Sequence, residues 1–349
     1  MMRSKTFIAT PPGYTIKEQL DDRGLTQKEF ALRMEMSEKH ISKLINGEVL
    51  LTTDVALRLE MVLGINAQIW LNLETIYREK LAKIEAENNM EQDISIAKKF
   101  PYNQMAKFNW VPKTTINSER VINLRKFFEI NRLVVLKENP KLNVLYRRIG
   151  ENEKSDYALM AWAQKAKLES RNCKTAPINI SGLLDSIQEF RKMTLERPEH
   201  FCDRLVNILS NYGVSLVFLP HIGGSFLHGA TFYDGNKIVI GLTVRGKDAD
   251  KFWFSFFHEI GHICLGHIGK DYYNEMENES NLFAQDMLIP KEKYHKFVSK
   301  GNFSESEIIK FSKMVEINPC IIVGRLQKES HIKYTMYNHL KVKYAISSN

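Results

Sequence analysis

Residues 252–267 read FWFSFFHEIGHICLGH and place His258, Glu259 and His262 in the order His-Glu-x-x-His. Two histidines four residues apart on a helix lie about one turn apart on one face, so both imidazoles can reach a single ion. Imidazole nitrogens hold zinc at about 2.0–2.1 Å and leave positions for a third protein ligand and a water. Glu259, the next residue round the helix, stands beside such an ion rather than on it. From there its carboxylate can take a proton from the attacking water and pass it to the leaving amine. This spacing points to peptide hydrolysis. The flanking residues (Phe252, Trp253, Phe254, Phe256, Phe257, Ile260, Ile263, Leu265) are apolar nearly all round, which marks a buried helix. Two histidines and a glutamate inside it need partners, and a metal supplies them. The plainer alternative is a pair of core histidines satisfied by hydrogen bonds.

A third protein ligand is then required. The metzincin pattern would put glycine three residues, and histidine six residues, beyond His262. Those positions hold Leu265 and Ile268, which excludes that class. The better donor is the helix expected over 277–290, ENESNLFAQDMLIP. There Glu279, Leu282 and Phe283 share a face at i, i+3, i+4, so Glu279 is expected to point inward and become the third ligand. Glu277 lies about 200° round the helix and is expected to see solvent. Glu275, Glu277 and His267 stay open as alternative ligands. Tyr272, Tyr273 and His267 are lesser candidates for stabilising an oxyanion, against a reading as ordinary packing. Cys264 is read as a core thiol.

The second chemistry lies near the start. Residues 25–48, LTQKEFALRMEMSEKHISKLINGE, fit a helix-turn-helix, with Gln27 opening the first helix and Ala31 small at the crossing. Ser37 is placed to cap the second helix, whose Ile41 and Leu44 face inward. Its exposed side chains, Glu38, Lys39, His40, Ser42 and Lys43, would enter the major groove of double-stranded DNA, while Gln27 and Asn46 would meet phosphates. The alternative is a helical bundle used only for protein contact.

The elements that must position these residues follow from periodicity. Residues 14–87 read as consecutive short helices, with Thr26, Ser37 and Thr52 as caps and Gly24, Gly47 and Gly64 as stops. Trp70 and Tyr77 are read as packing. Around 86–104 the sequence turns polar and meets Pro101, where a linker is expected. Helical segments near 118–136, 156–169, 181–195 and 199–212 are followed by a strand at 214–220 and a hairpin at 229–242 turning at Asp234-Gly235-Asn236. Helices are expected over 248–267 and 277–289.

Composition limits the function classes. The 349 residues carry a formal net charge of +8, but residues 1–90 hold 12 Lys and Arg against 13 Asp and Glu. Strong nonspecific DNA affinity is therefore not expected of that part. Residues 91–200 hold 20 against 13, densest between Lys98 and Arg148. These are solvated helix faces or a patch for phosphates or an acidic partner. Four cysteines without a CxxC pair argue against a disulfide framework or a thiolate zinc site. No stretch has signal-peptide or membrane-spanning character, so a cytoplasmic protein with no membrane partner is expected.

The run LTVRGKDADKFWFSFFHEIGHICLGH followed by ENESNLFAQDMLIP resembles the ImmA/IrrE family of metallopeptidases, as does INPCIIVGRLQ at 317–327. The family's Glu-Ala-Asn-x-Phe-Ala segment reads Glu279-Ser280-Asn281-Leu282-Phe283-Ala284 here, departing by Ser280 for alanine. The resemblance covers roughly residues 200–330. It implies a gluzincin-like zinc site, with His258, His262 and Glu279 as ligands and Glu259 as base, and helix-turn-helix repressors as a substrate class. Residues 12–81 resemble the Xre/Cro-type fold, more closely the HigA-type antitoxin branch. The turn of that fold usually has glycine where this chain has Glu35, so a left-handed backbone there would cost about 1 kcal/mol.

The expectation is an α+β protein in three parts: an all-α helix-turn-helix bundle (1–90), a basic helical connector (91–200) and a zincin-like metallopeptidase with a small mixed sheet (201–349). Its function reads as an operator-binding transcription regulator with zinc endopeptidase activity, in a stress or toxin–antitoxin circuit. It would cut a helix-turn-helix repressor or its own linker. Two half-sites one helical turn apart are expected if it acts as a homodimer. Restraint would come from the connector lying across the cleft, or from a substrate that must add as a strand near Lys237–Leu242. The rivals are a repressor or antitoxin whose peptidase-like domain only senses metal or a partner, and a peptidase with a docking bundle.

Overall fold

Thr26, Ser37 and Thr52 each cap a helix, their hydroxyls accepting the backbone N–H of Glu29, His40 and Val55. Gly24, Gly47 and Gly64 all end helices in the left-handed region. The computed structural model describes residues 2–4, 6–138, 153–223, 229–243, 248–270 and 274–344, and the chain divides into two units, residues 1–95 and 96–349.

In the first unit, a short hairpin of β1 (Met2–Arg3) and β2 (Ile8–Ala9) precedes α1 (Gly13–Asp22), α2 (Gln27–Arg33), α3 (Glu38–Ile45), α4 (Thr53–Leu63) and α5 (Ala67–Ala97). Phe30, Ile41, Ala56, Leu59 and Trp70 are each fully buried at its centre, and Ala31 and Tyr77 are buried as well. The linker expected over 86–104 is instead largely helical. The 31-residue α5 has neither proline nor glycine. Its polar end holds Glu, Gln, Met and Ala, which favour helix, and Asp93, Ile96 and Ala97 there are buried. Polarity alone does not break a helix.

The second unit begins with α6 (Tyr102–Lys107), α7 (Asn117–Phe128), α8 (Val135–Glu138), α9 (Glu153–Ser170), α10 (Ile180–Asp185), α11 (Ile187–Met193) and α12 (Pro198–Asn211). The segment expected as a connector is thus no separate body, since α9 packs on both β3 (Val214–Phe218) and β5 (Lys237–Leu242). Part of its basic stretch, 139–152, lies outside the described residues.

The sheet has the order β3-β5-β4, with β4 spanning Gly229–Asp234. β3 runs parallel to β5, with Val214 opposite Ile238, and β4 runs antiparallel to it, with Asp234 opposite Lys237. The hairpin therefore turns where the sequence says, at Gly235-Asn236, but β5 is paired on both sides. It has no free edge to offer a peptide. Among the described residues the free edges of this sheet belong to β3 and β4.

Behind the sheet lies α13 (Ala249–Cys264), whose Trp253, Phe256, Phe257 and Ile260 are fully buried in one core with Ile238, Ile240 and Ile322. Full burial of an aromatic or Ile side chain is worth about 1.5–3 kcal/mol, so this face fixes the helix firmly. Then follow α14 (Asn274–Leu288), α15 (Lys291–Val298), α16 (Glu305–Val315) and α17 (Pro319–Lys328). No helix among the described residues is long and apolar enough to cross a membrane.

Glu35 does sit in the left-handed region, at φ 53°. Its exposed pairing with Arg58 at 3.6 Å adds little at the surface. Glu35→Gly is expected to stabilise the first unit by about 1 kcal/mol. Slower amide exchange in α2–α4 of the variant is the measurement, and unchanged or faster exchange would contradict it.

Candidate metal centre and nucleic-acid interface

The histidines of α13 stand as their spacing requires. His258 Nε2 and His262 Nε2 are 3.0 Å apart. The carboxylate facing them belongs to Glu277, with Oε2 3.2 Å from His258 Nε2 and Oε1 3.3 Å from His262 Nε2. Donors held tetrahedrally about 2.0–2.1 Å from one ion stand about 3.3 Å from each other, so the set fits a divalent metal. His258, His262 and Glu277 form the metal-competent cluster among the described residues.

The expected third ligand, Glu279, is not in it. Its side chain is 59% exposed, and Oε2 lies 3.0 Å from His267 Nε2. The sequence expectation rests on the large residues Leu282 and Phe283 as the inward face of α14. Leu282 is in fact 58% exposed, whereas Ser280 and Ala284 are fully buried. At Gly261 of α13 a Cβ would stand 3.3 Å from Ser280 Cα and 3.1 Å from Phe283 Cδ1, so the helices nearly touch there. Close approach selects small side chains, and Glu277 lies on their side of α14, at i, i+3, i+7 with Ser280 and Ala284. Glu279, about 200° away, points outward. Small residues in that pattern were the signal available in the sequence.

Charge supports the cluster. Burial raises the Glu277 carboxyl, but hydrogen bonds from His258 and His262 outweigh it and hold the group far below the usual carboxylate range. Burial lowers His258, yet its hydrogen bond to Glu277 and the nearby Glu259 charge outweigh that and raise it. The Glu277 carboxyl is thus held as an anion facing two imidazoles, an arrangement that suits a cation.

Outer partners complete it. Asn281 Oδ1 lies 3.1 Å from His258 Nδ1, and His267 Nδ1 lies 3.2 Å from His262 Nδ1. Asn281 and the placing of His267 against a ligand's far nitrogen were not foreseen. Glu259 is buried, and Thr231 of β4 donates to its Oε2 at 2.6 Å. Burial and the neighbouring His262 both lower His267. Cys264 is half-buried, with its thiol pushed up to about 12 by burial, which suits a core thiol. Tyr272 and Tyr273 lie outside the described residues.

His258, Glu259, His262, Glu277 and Asn281 open on a cleft of about 950 Å³, walled by Gly229–Tyr233 of β4 and by Asp250, Phe254, His258 and His262 along one face of α13. That face is about 18 Å long, room for about five residues of extended peptide. Residues 98–138 do not line it, so among the described residues the basic stretch does not cover the site.

In the first unit, α3 presents Glu38, Lys39, Ser42 and Lys43 to solvent, and Gln27 and Asn46 are exposed beside it. Ser37 is exposed, with its hydroxyl engaged as the cap, and His40 is half-buried. The side chains expected to read DNA are thus exposed, apart from the half-buried His40.

Residues 16–70 match the family model described as "Helix-turn-helix", and residues 223–312 match the one described as "IrrE N-terminal-like domain". The chain is 38% identical over 66 residues to the HTH-type transcriptional regulator YddM of Escherichia coli, covering 19% of this chain and 70% of that protein. It is 34% identical over 76 residues to virulence-associated protein I of Dichelobacter nodosus, covering 22% of this chain and 70% of that protein.

Wild-type protein dialysed against a divalent metal should retain about one ion per chain, and Glu277→Ala should fall to background by elemental analysis. Glu275→Ala, altered at an exposed position of the same helix, should keep its metal. The reverse pattern would remove Glu277 from the site.

Proposed function

Because this chain belongs to the helix-turn-helix family and carries an IrrE-like peptidase domain, we propose that it is a DNA-binding transcription regulator and a zinc-dependent endopeptidase that cuts a flexible segment of another regulator. The observation that carries the catalytic half is the convergence of His258, His262 and Glu277 within 3.0–3.3 Å, beside a buried glutamate in a cleft bordered by a strand edge. Zinc is the natural occupant of two imidazoles and one carboxylate, and when bound there it supplies Lewis acidity to a carbonyl and to water. The ligand set proposed is therefore His258, His262 and Glu277.

The chain's own residues divide the remaining work. β4 offers unpaired backbone groups to which an extended peptide can add, laying its scissile bond along α13. Glu259 takes a proton from the attacking water as its oxygen bonds to the carbonyl carbon. It returns that proton to the amide nitrogen as the C–N bond breaks, leaving a carboxylate and an amine. The Thr231 hydroxyl holds Oε2 of Glu259, which leaves Oε1 as the proton carrier. An edge strand takes unfolded loops and not folded domains, which would restrict cleavage to a linker of the partner. A helix-turn-helix repressor with such a linker fits this substrate, in a stress or toxin–antitoxin circuit, and the site of action is the cytoplasm.

On the DNA side, Lys39 and Lys43 of α3 are proposed to meet the duplex, with Glu38, His40 and Ser42 toward base edges and Gln27, Ser37 and Asn46 toward phosphates. A homodimer would set two such helices on half-sites about one turn apart.

Glu259→Gln should keep its zinc and lose at least about 100-fold in cleavage of a co-incubated repressor, read by intact mass, while casein stays whole with either protein. Cleavage that survives in Glu259→Gln would discard the base, and a wild type that binds zinc but cuts no repressor would favour a metal or partner sensor. Lys39→Ala and Lys43→Ala should each weaken binding to a palindromic site in the gene's own promoter. Each that touches phosphate should lower the salt slope by about one. A full-length protein that footprints nowhere on that promoter would leave the first unit a docking module.

A further inference from the structure

The turn that ends α13 does more than stop the helix. Gly266 takes the left-handed conformation at φ 67°, Gly266 N–H donates to Ile263 O at 3.1 Å, and His267 N–H donates to His262 O at 3.0 Å. This is a Schellman closure with glycine at its left-handed position. It folds residue 267 back under residue 262, so that the two imidazoles meet with ring centroids 5.3 Å apart. His267 is 3% exposed. Its Nδ1 lies 3.2 Å from His262 Nδ1 and 3.3 Å from the Ser280 hydroxyl, and its Nε2 lies 3.0 Å from Glu279 Oε2.

Resting on the metal site described above, we propose that His267 and Glu279 act as positioning residues, a relay that holds His262 in the one tautomer able to bind metal through Nε2. The direction of every proton in the chain is then fixed. A neutral imidazole that ligates through Nε2 carries its hydrogen on Nδ1 and can only donate from there. His267 Nδ1 must accept it, so the His267 hydrogen sits on Nε2. That N–H meets the Glu279 carboxylate, which only accepts. Run the other way, His267 Nδ1–H would donate to His262 and put the His262 hydrogen on Nε2, aimed at His258 and Glu277 and occupying the ligating lone pair. Glu279 excludes that arrangement because it leaves a bare His267 Nε2 against an anion. The Ser280 hydroxyl, 3.3 Å from the same His267 nitrogen, can turn its hydrogen elsewhere, because that nitrogen has one lone pair and the His262 N–H takes it. His258 needs no such device, since the Asn281 carbonyl is an acceptor only. Asn281 and Glu279 thus do the same task for the two histidines, one directly and one through His267.

Outer partners of metal-bound histidines commonly change metal affinity by 10–100-fold. The test is the zinc dissociation constant, from competition with a chromogenic chelator, for full-length wild type, Glu279→Ala, Glu279→Gln, His267→Gln and His258→Ala. Glu279→Ala should weaken binding about tenfold or more. Glu279→Gln and His267→Gln, which each keep an acceptor oxygen, should fall between it and wild type. Nitrogen-15 spectra of the histidine side chains in zinc-loaded wild type should show His262 protonated on Nδ1 and His267 on Nε2. Glu279 is on the surface, so its variants fold whatever becomes of His267. Zinc affinity of Glu279→Ala within twofold of wild type, or His267 protonated on Nδ1 in the zinc-loaded protein, overturns the relay. Failure of the metal site itself looks different: wild type and His258→Ala would then bind zinc equally poorly.

Discussion

The near-contact of α13 and α14 at Gly261 is the constraint on which the second unit's chemistry rests. Two histidines on a helix are a pair of ligands only, and the third donor must come from an element packed close enough for a glutamate to span the gap. Gly261 on one side, with Ser280 and Ala284 on the other, removes the side chains that would hold the helices apart. Glu277 then reaches the imidazoles, Asn281 meets His258 one turn later, and Ser280 comes within reach of His267. A bulkier residue at Gly261 would push α14 outward and disturb all three contacts together, though none of them involves Gly261 directly.

The opposite face of α13 supplies rigidity. Trp253, Phe256 and Phe257 are locked into the core beneath the sheet, so the cleft-facing residues Phe254, His258 and His262 project from a scaffold with little freedom. Glu259 is held from the sheet side by Thr231, so the base and the strand edge share one hydrogen bond. The helix-turn-helix unit is organised by simpler means, a small apolar centre and three capped helices, and it carries near-neutral charge.

Much of this was legible in the sequence. The caps, the helix-stopping glycines, the hairpin turn and the histidine pair are local signals, each written within a few residues. The α+β class and the two motif-bearing regions followed from them. What failed was long-range or depended on degree. Glu279 was chosen because large apolar neighbours usually mark a buried face, but this interface is marked by small ones. β5 was given a free edge because pairing order in a sheet is not encoded in any single strand. The polar stretch after residue 85 reads as a linker, although its helix propensity, with Asp93, Ile96 and Ala97 buried at its far end, is enough to continue a helix already nucleated by its packed first half. His267 reads from the sequence as an alternative ligand, an oxyanion partner or packing, because its place behind His262 depends on a turn whose geometry becomes apparent only once Gly266 is placed.

The continuity of α5 bears on which bonds a peptidase can reach. A protease that reads peptides as extended strands cannot accept a helical segment, since the backbone N–H and C=O groups it needs are already engaged. Cutting within residues 86–97 would first require those turns to melt, and the rate would follow the population of the melted state rather than the recognition of any side chain. The second half of α5 is thus protected from any peptidase that reads extended strands, to a degree graded by local stability. Anything that loosened those turns, such as heat, loss of a neighbouring contact or a bound partner, would turn an inert rod into a substrate.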